Sequence, residues 1–178
     1  DVVLDAEKAV NAISDFVEAY NNAIDWINIR VSEEPIEDPT EDYQKRIGML
    51  RGDPLLWQTK SRLRAIISDP IATSGAFKML SQIGITTEST DYGKSGKLVF
   101  DADKFMEAMT TNSNDVSSLM TTVMTKLDNF IGDTVDNVPV TVGSTVVTKG
   151  RLASEVNYLN DRINAIDKRI ADFENRLA

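Results

Sequence analysis

The chain has 178 residues, 42% of them hydrophobic, and a formal net charge of −9, enough sequence for one domain that hides its apolar surface without metal or disulfide staples. The acidic balance speaks against a nucleic-acid partner, which needs clustered Lys and Arg to displace counterions, and no apolar run approaches the roughly 20 residues that would insert in a membrane. The chain has no Cys and no His, which removes the thiolate nucleophile, the commonest general base and the main zinc and copper ligands together, so neither a metal site nor a cofactor is implied.

From Ala6 the apolar residues fall at Ala6, Val10, Ile13, Val17, Tyr20, Ile24, Ile27 and Val31, alternating steps of four and three, and this predicts a long amphipathic helix. Ala9, Phe16 and Ala23 sit one residue earlier and widen the stripe to the face of a bundle helix. Pro35, Pro39 and five acidic residues between Glu33 and Glu41 cannot continue a helix and predict a solvated loop. Asp53-Pro54 then supplies an N-cap and a proline at the first helical position. Leu55, Leu56, Leu63, Ile66 and Ile67 give this second helix its apolar side, with an end near Asp69-Pro70.

A short helix is predicted over Ala76 to Gln82, stopped at Gly84. Ile85 to Thr90 and Lys97 to Phe100 read as two strands joined through Tyr92 to Gly96. Asp101 or Asp103 caps a helix carrying Phe105, Met106 and Met109, and Asn112 to Asp115 is expected to break and recap the chain. The next helix, Asp115 to Phe130, places Val116, Leu119, Met120, Val123, Met124 and Leu127 on one face. Val138 to Val142 and Thr145 to Thr148, split by Gly143-Ser144, have the spacing of a tight hairpin.

The last segment repeats the opening pattern, with Leu152, Val156, Leu159, Ile163, Ile166, Ile170, Phe173 and Leu177 predicting a second long helix. Each terminal stripe spans about 38 Å at ~1.5 Å per residue, and the matched lengths make their pairing the economical arrangement. The fold expected is mainly α (α+β): an antiparallel helical bundle with long N- and C-terminal helices and two small β-hairpins. The bundle or oligomer contacts are assigned to Val10, Ile13, Val17, Tyr20, Ile24 and Ile27 on the first helix and to the eight apolar residues of the last. If the last helix instead pairs with a parallel copy of itself, Arg162 and Arg169 fall five residues before Asp167 and Glu174, the register of interhelical charge pairs.

Catalytic motifs fail on inspection. Gly93-Lys94-Ser95 has the ending of a phosphate loop, but Glu88 stands where the earlier glycine is needed. Asp101-Ala102-Asp103 opens like a calcium loop, but Met106 and Asn112 occupy the positions of its glycine and its closing glutamate. Glu33-Glu34 lies in an open loop with nothing to desolvate either carboxylate. Trp26 and Trp57, both on helices, are expected to pack rather than to line a ligand pocket. The sequence does not read as an enzyme.

Short strings along the chain nonetheless fall in a telling order: Phe16-Val17 and Tyr20-Asn21, then Gly48-x-Leu50-x-Gly52-Asp53, Ile83-Gly84-Ile85, Gly96-x-Leu98 leading to Asp101, and the closing heptad helix. In this order the chain resembles the C-terminal part of the flagellar filament cap family, flagellar hook-associated protein 2. The resemblance implies a structural protein that reaches the distal filament tip through the flagellar channel without a cleavable signal peptide. There it would form a homo-oligomeric ring, extracellular, and assist insertion and folding of flagellin. It implies that residues 1–178 are a single helical leg-type domain, part of a larger protein whose inserted β-rich head and N-terminal leg helix lie outside this sequence. The face around Ala9, Phe16 and Ala23 would then be underfilled and covered by a neighbouring copy. The rivals are another flagellar axial or hook-junction protein and a cytoplasmic coiled-coil adaptor.

Overall fold

The computed structural model describes residues 2–135, 140–142 and 145–147, and Cα packing divides the chain into two compact units, residues 1–124 and 125–178. The fold is mainly α, with two small two-stranded antiparallel sheets.

The first helix, α1 (Val2–Ser32), follows the predicted stripe. Ile13, Val17, Tyr20, Ile24, Ile27 and Val31 are buried and Val10 is half-buried, and α1 lies against the second helix and against a strand of the first sheet. It ends where Ser32 Oγ turns back to the carbonyls of Asn28 and Ile29 and Pro35 follows. The acidic loop is exposed as expected. Its far end is tied down, because the Gly52 N–H donates to the Val31 carbonyl at 2.9 Å and a 3-10 turn forms at Gln44–Arg46. Gly48 has φ +78, and a Cβ there would meet the Pro35 nitrogen at 2.5 Å, so only glycine closes this loop.

The second helix, α2 (Pro54–Ser68), begins as its sequence dictates: Asp53 Oδ1 accepts from the Leu56 N–H at 2.8 Å and Pro54 opens the first turn. Leu63, Ile66 and Ile67 are buried, Leu55 and Leu56 half-buried. Residues 69–79 then differ from expectation. The helix predicted over Ala76 to Gln82 is reduced to a 3-10 turn, Leu80–Ile83. The preceding chain is held open because Ile71, buried to 2% exposure, donates its N–H to the Lys78 carbonyl at 2.7 Å, and Gln82 Oε1 accepts from the N–H groups of Lys78 and Met79. Gly84 ends the turn at φ +89, as the sequence predicts.

Strands β1 (Ile85–Thr87) and β2 (Leu98–Phe100) pair antiparallel, Ile85 opposite Phe100. The first strand stops at Thr87 instead of running to Thr90, since Thr90–Gly93 wind into a 3-10 turn. Asp101 caps the third helix, α3 (Ala102–Val135), through Oδ1 and the Lys104 N–H at 3.0 Å. The expected break at Asn112 to Asp115 is a single kinked residue, Asn112 at φ −152, ψ 64. Asp115 does not recap the chain; its Oδ2 accepts from the Ala76 N–H at 2.9 Å and anchors the loop after α2. Phe105, Val116, Leu119 and Val123 are among the most deeply buried side chains, and Phe105 meets Phe100 edge-on at 5.6 Å.

In the second unit α3 continues to Val135 with Leu127 buried. Strands β3 (Val140–Val142) and β4 (Thr145–Val147) pair antiparallel, Val140 opposite Val147, where the second hairpin is predicted. The predicted terminal helix from Leu152 to Leu177 lies outside the described residues.

Candidate interaction surface

Beside the buried stripe of α1 runs a polar edge, Asn21, Asp25 and Asn28, spaced by four and three and therefore on one side of the helix. Each reaches the first sheet or its turn. In an antiparallel pair alternate residues turn their N–H and C=O away from the partner strand. The Glu88 N–H bonds the Lys97 carbonyl inside the pair, so Leu98 faces outward, and Asn21 satisfies both its groups: Oδ1 accepts from Leu98 N–H at 2.7 Å and Nδ2 donates to Leu98 C=O at 2.9 Å. Asp25 pairs with Lys97 at 2.7 Å, and this hydrogen bond holds the Lys97 ammonium above the ordinary lysine pKa. Asn28 Nδ2 donates to the Ser95 carbonyl at 3.0 Å and its Oδ1 accepts from Lys60 Nζ at 2.5 Å.

Lys60, from α2, is the buried cation at the centre of this seam, 6% exposed, with Nζ also on the Lys94 carbonyl at 2.9 Å. Burial, and then the neighbouring Arg64 charge, push its pKa down. Gly96, at φ +79, leaves room for the stems of Lys60 and Arg64, whose carbons would lie 3.2 and 3.1 Å from a Cβ there. Below the seam, burial pushes the Tyr20 phenol up to about 12, and its hydroxyl has no hydrogen-bond partner among the described residues.

The outer face of α2 continues the basic side. Trp57, Lys60, Ser61, Arg64, Ala65, Ser68 and Lys94 line an open groove of about 640 Å³. Trp57 is 50% exposed and lies 5.6 Å from Lys60 Nζ; Trp26 is 48% exposed beneath the Arg30 guanidinium at 5.9 Å. Against the expectation that both tryptophans pack rather than line a pocket, Trp57 lines this groove. Each is half out, held by a cation on its own helix at the (i, i+3) or (i, i+4) position that helical geometry brings alongside. The groove was not read from the sequence; the available signal was Lys60 and Arg64 four apart on a helix carrying no acidic residue.

Of the contact residues expected from sequence, Ile13, Val17, Tyr20, Ile24 and Ile27 are buried within the first unit, where α1 lies against α2 and β2. Ala9 and Phe16 are half-buried and Ala23 is exposed. Leu152, Val156, Leu159, Ile163, Ile166, Ile170, Phe173 and Leu177, with Arg162, Asp167, Arg169 and Glu174, lie outside the described residues. Glu33 is no poised acid: the Gly48 N–H and then Arg30 lower its pKa. Among the described residues no cluster of acidic groups is placed to hold a metal ion, and no helix is long and apolar enough to cross a membrane. The arrangement is that of a folded platform with a charged, tryptophan-bearing exterior.

Comparison with known proteins agrees over the whole length. The chain is 29% identical over 171 residues to flagellar hook-associated protein 2 of Escherichia coli strain K12, an alignment covering 90% of this chain and 35% of that protein. It is 27% identical over 188 residues to the Thermotoga maritima protein of the same name, covering 99% of this chain and 30% of the relative. The chain therefore spans about a third of the length of these relatives. Among solved structures, that of the flagellar cap protein FliD D1-D2-D3 domains from Escherichia coli superposes with a TM-score of 0.53 at 30% identity, over 70% of this chain and 32% of that one. The family described as flagellar hook-associated protein 2 C-terminus matches residues 1–178, and the chain belongs to that family.

Proposed function

We propose that this chain is the filament-contacting, helical leg of a structural capping protein at the distal end of the bacterial flagellar filament. It acts outside the cell, after export through the flagellum, as part of a homo-oligomeric ring that assists flagellin insertion and polymerisation. It works by shape and contact and is not an enzyme. The observation that carries this reading is the match of the whole chain to the flagellar hook-associated protein 2 C-terminus. The physical layout supports it, since Asn21, Asp25 and Asn28 of α1 fix a strand and a turn, as in a part built to hold its shape.

In this reading residues 1–178 act as one leg. The stripe of α1 and the apolar ridge Leu152 to Leu177 are its bundle contacts, and Arg162, Asp167, Arg169 and Glu174 are charge pairs on the terminal helix. The test is complementation: a parent protein carrying this segment restores motility and filament elongation in a strain lacking its cap. Arrested filaments that shed flagellin monomers into the medium despite secretion of the protein would refute the role.

A further inference from the structure

We propose that the groove on α2 is a docking site for the acidic loop of a second copy of this chain, a contact that joins successive subunits head to tail. The inference rests on the oligomeric reading above and gives it an interface.

The groove is cationic in a protein whose net charge is −9. Among the described residues, neither Arg64 nor Lys94 has a carboxylate within ion-pair distance; the ion pairs are Arg30–Glu33, Lys45–Asp42, Arg51–Glu34 and Lys97–Asp25. Arg64 also raises the cost of keeping its neighbour Lys60 charged. Trp57 adds a half-exposed aromatic wall.

The complement lies on the same chain but on another patch. Ile36, Glu37 and Asp38 are exposed at the tip of the loop after α1, Asp38 at φ 54. Neither Glu37 nor Asp38 has a cationic partner among the described residues. The base of their loop is closed on itself: Glu33 accepts from the Gly48 N–H at 3.2 Å and Glu34 pairs with Arg51 at 3.1 Å. The tip thus offers two carboxylates beside one apolar side chain, and the groove offers two cations beside one indole. Ile36 on Trp57, with Glu37 and Asp38 toward Arg64 and Lys94, satisfies both patches at once.

Because the two patches are separate, each subunit can give its loop to one neighbour and its groove to another, the heterologous arrangement that closes into a ring when the rotation between subunits allows.

The test uses the full-length parent protein containing this segment, with oligomer mass read by sedimentation velocity and folding checked by circular dichroism. Lys94→Glu and Glu37→Lys both change exposed residues. Each alone is expected to weaken self-association about tenfold or more, the scale of losing a close interfacial charge pair, and the two together in one chain are expected to restore it. Arg64→Gln gives a milder loss, and Asp38→Asn tests the loop while keeping a residue that tolerates positive φ. A wild-type oligomer whose mass no variant changes overturns the inference and leaves the capping role standing, as does a loss in folded single variants that the double variant does not recover. Intact oligomers that lose flagellin binding assign the groove to flagellin and overturn it too. A wild-type protein that stays monomeric at every concentration overturns both the interface and the oligomeric reading.

Discussion

Asn21→Ala is the substitution that most directly tests how the first unit is held together. The side chain makes two hydrogen bonds, at 2.7 and 2.9 Å, to the N–H and C=O of Leu98, and Leu98 is 3% exposed. Truncation leaves one donor and one acceptor without partners in a place where water enters with difficulty. Each such group costs about 1–3 kcal/mol. Asn21 is itself half-buried, so water can reach part of the gap, which places the expected loss at the lower end, about 2–3 kcal/mol in all. Urea unfolding of the segment should show it as a lower midpoint with unchanged slope. Asn21→Asp separates hydrogen bonding from packing. It keeps the acceptor for the Leu98 N–H but turns an oxygen toward the Leu98 carbonyl, so it should destabilise at neutral pH nearly as much as alanine does. Hydrogen exchange should show the Leu98 amide opening early in Asn21→Ala. A loss below about 0.5 kcal/mol, the level of an ordinary surface change, with Leu98 protection unchanged, would refute the idea that this side chain is the second partner of the strand.

Gly84→Ala is expected to cost at least about 2 kcal/mol by thermal or urea unfolding, because φ is +89 and the new Cβ would lie 2.5 Å from the Asp101 carbonyl oxygen. Asp53→Ala removes the cap on the Leu56 N–H and should cost about 1 kcal/mol; Asp53→Asn should recover most of it. Tyr20, with its phenol raised to about 12 from 10.0 by burial, links stability to alkaline pH. The unfolded chain ionises first, so the contribution is complete below about pH 10 and is lost as pH rises toward 12. Tyr20→Phe should remove that part of the decline in pH-dependent unfolding curves at little or no cost at neutral pH, since the hydroxyl has no partner to lose.

The long elements were legible because one local rule decides them. The four-three alternation from Val10 to Val31 has no competing reading, Asp53-Pro54 specifies a helix start in two residues, and Gly84 stops a turn that only a positive φ can stop. What escaped were features set by partners far away in sequence. Ala76 to Gln82 has helical composition, yet the Ala76 N–H is claimed by Asp115, 39 residues on, and Ile71 is drawn into the core with its N–H on Lys78. The seam escaped for the same reason. Asn21, Asp25 and Asn28 read as the wet side of an amphipathic helix, and only the arrival of β2, 77 residues after Asn21, turns that side into a bonding edge. The strings that carried the family resemblance included Tyr20-Asn21 and Gly96-x-Leu98 without revealing that Asn21 and Leu98 are bonded to each other.

That pairing explains how so small a sheet can serve as a fixed part of the first unit. Two strands of three residues bury little apolar surface and are marginal by themselves. Here the outward edge of β2 is taken up by Asn21, the turn before it is held by Asn28 and by the buried Lys60 ammonium, and Lys97 is drawn to Asp25. Hydrogen bonds to fixed partners are directional, and a buried cation tolerates little displacement from its acceptors. The turn from Lys94 to Lys97 is therefore positioned by α1 and α2 rather than by the hairpin's own stability. Lys94 belongs to that turn, so its backbone carbonyl is fixed on Lys60 while the residue lines the groove together with Arg64. The same contacts that stiffen the platform thus set the position of Lys94 at the groove, and loosening the seam at Asn28 should disturb association as well as stability.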